Sequence, residues 1–143
     1  MKPYILMILL FSLISGNATA KDDVKDDLEK FQGTWKVVSA AEGGQQTPEE
    51  HLKDLKMIIT LEKMTYKFRD VTTVWPYKLD STKSPKWFDI MDKDHTLQGI
   101  YQLEGDQLKI CVPNMGDKGR STAFESKPNS VNHLLIVMER ERP

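Results

Sequence analysis

The sequence predicts an all-β domain: an antiparallel up-and-down barrel of about eight strands, with a short N-terminal helix and a short helix near residues 47–54. Three observations predict it. Apolar residues recur at every second position in short runs, as in Met57-Ile59-Leu61, Met64-Tyr66-Phe68 and Leu108-Ile110-Val112, the period of a half-buried strand. The runs are joined by brief turns such as Glu62-Lys63 and Glu104-Gly105-Asp106, and closing such a series into a barrel removes its edges. The chain also has a single cysteine, Cys111, so no internal disulfide is possible and the fold must stand on its core.

The chain opens with the three parts of an export signal. Lys2 supplies a positive start, Ile5 to Ile14 is apolar apart from Ser12, and Ala18-Thr19-Ala20 is a small-x-small cleavage site. The apolar run is about 10 residues, against roughly 20 for a helix that spans a bilayer. The expected division is therefore a signal peptide, 1–20, cleaved after Ala20, and one domain, 21–143. The product is expected in the periplasm or outside the cell, with no stable membrane span after cleavage and no lipid anchor, since no cysteine sits at the cleavage site.

The elements come in this order. Val24, Leu28 and Phe31 lie on one face of a short helix that Gly33 ends. Trp35, Val37 and Ser39 then alternate with Lys36, Val38 and Ala40, and Glu42-Gly43-Gly44 breaks that strand. Thr47-Pro48-Glu49-Glu50 reads as a helix start, with Thr47 as cap, Pro48 first in the helix and Glu50 closing a capping box. This helix should cover one end of the barrel. The next two strands form a hairpin through Glu62-Lys63. Trp75, Tyr77 and Leu79 share a strand in which Pro76 argues for an edge, a bulge or an irregular start. Phe88 and Ile90, then Tyr101 and Leu103, then Leu108 to Val112 mark three more strands. A polar loop runs from Pro113 to Ser121, and Thr122 to Glu125 is expected as a brief strand around Phe124. His133 to Glu141 is the last strand, with Leu134, Ile136 and Met138 on one face.

A formal net charge of −1 with no clustered basic face excludes a nucleic-acid footprint. Cys111, inside a strand-like run, reads as a buried structural thiol. His51, His95 and His133 lack metal-ligand spacing, and Asp89 is turned outward by alternation with Phe88 and Ile90. No glycine-rich phosphate loop is present. No catalytic residue, metal or cofactor is expected, and the domain is expected as a monomer.

Gly33-Thr34-Trp35 is the Gly-x-Trp that opens the first strand of lipocalins. The longer stretch from Asp27 to Ala40 resembles the start of a family of bacterial lipocalin-like domains first described as an uncharacterised domain abundant in planctomycetes. Tyr77-Lys78-Leu79-Asp80, Lys83-Ser84-Pro85-Lys86 and Gly99 to Asp106 extend the resemblance, as do Leu108 to Cys111 and Phe124 to Pro128, so that it spans the whole domain. It implies a lipocalin-like barrel and export, and it carries no established activity. It also implies a barrel floor, with Gly33 and Trp35 at the closed end beneath a basic side chain from the last strand. Arg140, in phase with Leu134, Ile136 and Met138, fits that place.

The barrel supports two functional expectations. An eight-stranded barrel is just wide enough to be filled by side chains or to hold one small ligand. The first expectation is a small hydrophobic molecule in the interior, with Tyr66, Phe68, Tyr77, Phe88 and Tyr101 as ligand-binding candidates. Other inward candidates, among them Met57, Leu61, Leu108 and Phe124, are bulky enough that the barrel should be mostly full and any cavity small. The second is a protein partner, or an inhibitor-like surface, through the face carrying Trp87, with Trp75 and the Asn114–Arg120 loop as further features.

Overall fold

The computed structural model describes residues 20–142, with side chains from Val24 onward. Residues 1–19, which carry all but the last residue of the expected export signal, lie outside them. The described residues form one antiparallel sheet of β1 (Gly33–Glu42), β2 (Gln45–Gln46), β3 (Leu55–Ile59), β4 (Lys63–Phe68), β5 (Val71–Asp80), β6 (Lys86–Asp92), β7 (His95–Glu104), β8 (Gln107–Val112) and β9 (Leu134–Arg140). β9 pairs back onto β1, from Trp35 opposite Arg140 to Glu42 opposite Leu134. The sheet thus closes into an eight-stranded barrel, and β2 only extends β1 at its far end. Helix α1 (Ala20–Phe31) precedes the barrel and α2 (Glu49–Leu52) lies between β2 and β3.

The alternating runs explain the closure. Trp35, Met57, Ile59, Met64, Tyr77, Phe88, Tyr101, Leu108, Ile110 and Met138 are buried and belong to one core. Several local expectations fail for identifiable reasons. β1 carries a register shift between Val37 and Ser39. The extra residue flips the phase of the rest of the strand, as a β-bulge does, so that Ala40, and not Ser39, continues the core face. Leu61 is not inward: it lies in the β3–β4 turn and is 55% exposed. Pro76 stands in an interior strand, because β5 changes partner there. Residues 71–76 pair with β4 and residues 77–80 pair with β6, and a proline's missing donor is tolerated where a ladder ends.

Thr47 does not cap α2. Pro48 occupies that place with extended backbone and no side-chain cap bond, while the Thr47 N–H donates to the Ala40 carbonyl at 2.8 Å. Residues 122–125 form no strand. Most of the 113–133 segment instead folds over the outside of the barrel, while Pro113, Asn114, Met115 and His133 line its open end. Arg120 bonds the Asp89 carboxylate at 2.6 Å and the Gly99 carbonyl at 2.8 Å. The Ser121 hydroxyl donates to the Val131 carbonyl at 2.7 Å, and the Asn132 side-chain oxygen accepts from the Thr122 N–H at 2.8 Å. Beneath this segment Ile100 and Cys111, paired across β7 and β8, are buried. Phe124 joins this outer layer under Lys109, 5.9 Å from its ring, and is not an inward residue. Gly99 is required here, since a Cβ would come within 2.6 Å of the Cys111 carbonyl.

Candidate functional site

The two ends of the barrel differ. At the closed end α1 inserts Phe31, which is fully buried, between Tyr77, Phe88 and Tyr101 at ring separations of 5.6, 5.7 and 5.4 Å. Burying a phenylalanine contributes about 1.5–3 kcal/mol. A helix leaves its last four carbonyls without helical partners, and here each finds one. Gln32 serves two of them: its side-chain amide donates to Leu28 and its backbone N–H to Glu29. The Arg140 guanidinium donates to Lys30, and the Trp35 indole N–H donates to Phe31 at 2.9 Å.

Arg140 also donates to the Gln32 carbonyl at 2.6 Å and stands 4.3 Å above the Trp35 ring. Gly33, at φ +132, leaves the space it needs: a Cβ there would meet the guanidinium at 2.8 Å. On the other side of the plug the Tyr101 hydroxyl donates to Asp27 at 2.6 Å, and Lys86 bonds the same carboxylate oxygen at 2.7 Å. Burial first, and then the Asp27 carboxylate, push the Tyr101 pKa well above the ordinary tyrosine range. The Tyr77 hydroxyl donates to the Thr60 carbonyl at 2.5 Å, and burial pushes its pKa up to about 12. Neither hydroxyl faces open space.

At the other end the side chains leave a cavity of about 430 Å³, within the range of small-molecule sites. Its walls are apolar: Leu55, Met64, Phe68, Trp75, Ile90 and Ile136 are representative. Tyr66 and Trp75 lie side by side across β4 and β5, ring centroids 6.2 Å apart. The rim is polar, with Glu42 from the end of β1, Thr47 before α2, His51 in α2, Asn114 after β8 and His133 before β9. His133 approaches Glu42 at 3.6 Å. Burial, aided by the Glu42 charge, raises the Tyr66 pKa.

The predicted ligand residues are therefore split. Tyr66, Phe68 and Phe88 line the cavity, whereas Tyr77 and Tyr101 do not: they pack round Phe31 beneath it. The barrel is full only in its lower half, and the open space is larger than bulky inward residues led us to expect. Sequence reasoning missed Glu42, Thr47, His51 and His133 as neighbours of one opening. His51 and His133 converge there from elements far apart in sequence, and His95, which does not line the cavity, opens β7 paired with Asp92. Among the described residues no three His, Cys, Asp or Glu side chains gather as a metal site would need.

Trp87 faces outward, as alternation requires, but it is not a free surface. Arg120 stacks over its ring at 3.9 Å and Lys83 sits 4.7 Å from its centroid, so the side chain is half-buried under the outer segment. Trp75 faces the cavity. Cys111 is buried, its Sγ 3.4 Å from the Glu125 carbonyl, with its pKa raised by desolvation. No helix of the described residues is long and apolar enough to cross a membrane. No family model, curated protein or solved structure matches the chain.

Proposed function

We propose that this is an exported, lipocalin-like binding protein that holds a small hydrophobic molecule in the open end of its barrel. The carrying observation is the cavity: about 430 Å³ with apolar walls and a polar rim, above a closed aromatic core. An apolar ligand there would exchange water for the surfaces of Phe68, Trp75 and Ile136, which favours binding by roughly 25 cal/mol per Å² removed from water. Export rests on Lys2, the apolar Ile5–Ile14 run and Ala18-Thr19-Ala20. Docking of a protein partner through Trp87 is the weaker reading, because Arg120 and Lys83 already pack against that ring.

Native mass spectrometry of protein purified from its own host tests the proposal. A retained small-molecule mass is expected, lost on denaturation. Ala40 is buried on the cavity wall, so Ala40→Leu should keep the fold and reduce retention by about tenfold, the effect of about 1.4 kcal/mol. Ligand-free masses for both proteins, with no apolar probe bound by either, would count against the reading.

A further inference from the structure

The charge at the cavity's rim is one-sided. No lysine or arginine lines the cavity among the described residues, although the chain has 20 of them. Several cations flank wall residues in sequence, among them Lys56, Lys67 and Arg69, but none of these lines the cavity, and Arg69 shows where such a charge goes instead. Its guanidinium stands 5.1 Å from the Phe68 ring and turns to the Asp54 carboxylate at 3.6 Å. The charged side chain that does line the cavity is Glu42, at the rim and 68% exposed, with His133 at 3.6 Å. Below it lie the aromatic faces of Tyr66 and Trp75, which attract cations and tolerate neutral groups.

We infer that the cavity selects amphiphiles with a basic head group, an apolar body seated among the aromatic walls and an ammonium at Glu42, and that it rejects carboxylates of the same body. The inference rests on the cavity being a ligand site. A carboxylate head would enter a rim that offers it no lysine or arginine and a like charge, and unfavourable groups of this kind set specificity as much as attractive ones do. An ammonium would gain an ion pair that is partly solvated, and so worth only a few-fold in affinity.

Isothermal titration of the mature chain with decylamine, decanol and decanoate at pH 8 tests this, since an ordinary imidazole is neutral there. The amine is expected to bind about threefold more tightly than the alcohol, and the carboxylate about tenfold more weakly. Glu42→Gln should bring the amine-to-alcohol ratio to one, and 1 M salt should do the same in the unmodified protein by screening the pair. Decanoate binding as well as decanol, or an amine preference that survives Glu42→Gln, would overturn the inference while leaving the cavity a ligand site. Failure of all three compounds to bind would overturn the ligand reading itself.

Discussion

The closed and open ends of this barrel are built from the same alternating strands, yet one is solid and the other hollow. The difference comes from what each end receives from outside the sheet. The closed end receives a helix, whose Phe31 fills the space between Tyr77, Phe88 and Tyr101 and whose terminal carbonyls are taken up by Trp35 and Arg140. The open end receives the single turn of α2, which contributes His51, with Thr47 before it, to a rim but no plug. A barrel of eight strands can be full or can hold one small ligand, and here each outcome occupies half of the molecule.

The largest expected effect comes from removing the plug. Phe31→Ala should cost about 3–5 kcal/mol, the usual range for a buried aromatic truncated to alanine, measured by urea unfolding. A loss below about 1 kcal/mol would mean that α1 is an accessory and that the two ends do not differ in kind. Arg140→Met comes next. It removes the cation over Trp35 and leaves carbonyls of Lys30 and Gln32 unpaired, for an expected loss of about 2 kcal/mol. It should lower Tm and leave probe binding in the cavity unchanged. Unchanged stability would show that the floor does not depend on this pair.

The smallest effect is in alkaline titration. Tyr66 is at the open end, whereas Tyr77 and Tyr101 are buried below it, so in a chain begun at Lys21, which lacks Tyr4, Tyr66 should ionise first and Tyr66→Phe should remove the first step in tyrosinate absorbance. All three pKa values are raised, so the folded state holds its protons longer than the unfolded chain, whose tyrosines titrate at about 10. This contribution to stability is complete below about pH 10 and declines as pH rises toward the folded values, about 12 for Tyr77. Ionisation of Tyr77 before Tyr66 would contradict the assignment of the two ends.

Sequence alternation announces which face of a strand a residue occupies, and for Trp35, Met57, Phe88, Tyr101, Leu108 and Ile110 that reading matches the buried core. It does not announce height along the barrel axis. Tyr66, Tyr77 and Tyr101 look equivalent in sequence, but register places the first near the rim and the other two against Phe31. The bulge after Val37 is equally hidden, because Ser39 and Ala40 are both small enough to pass on either face. Phe124 and Cys111 suggest strand and core positions by their hydrophobicity, but Cys111 is covered by, and Phe124 belongs to, a second, outer layer that the long 113–133 segment supplies. Its anchors, Arg120 to Asp89 and Trp87, join residues 31 and 33 positions apart, beyond what any local pattern reports.

Methyl NMR under xenon pressure tests the division most directly, because xenon enters apolar space that water leaves empty. Shifts are expected at Met64, Ile90, Ile110, Leu134 and Ile136, which line the cavity. None is expected at Ile59, Leu108 and Met138, which are buried in the core but do not line it. Shifts spread equally over both groups, or absent from both, would contradict a barrel that is filled at one end and open at the other.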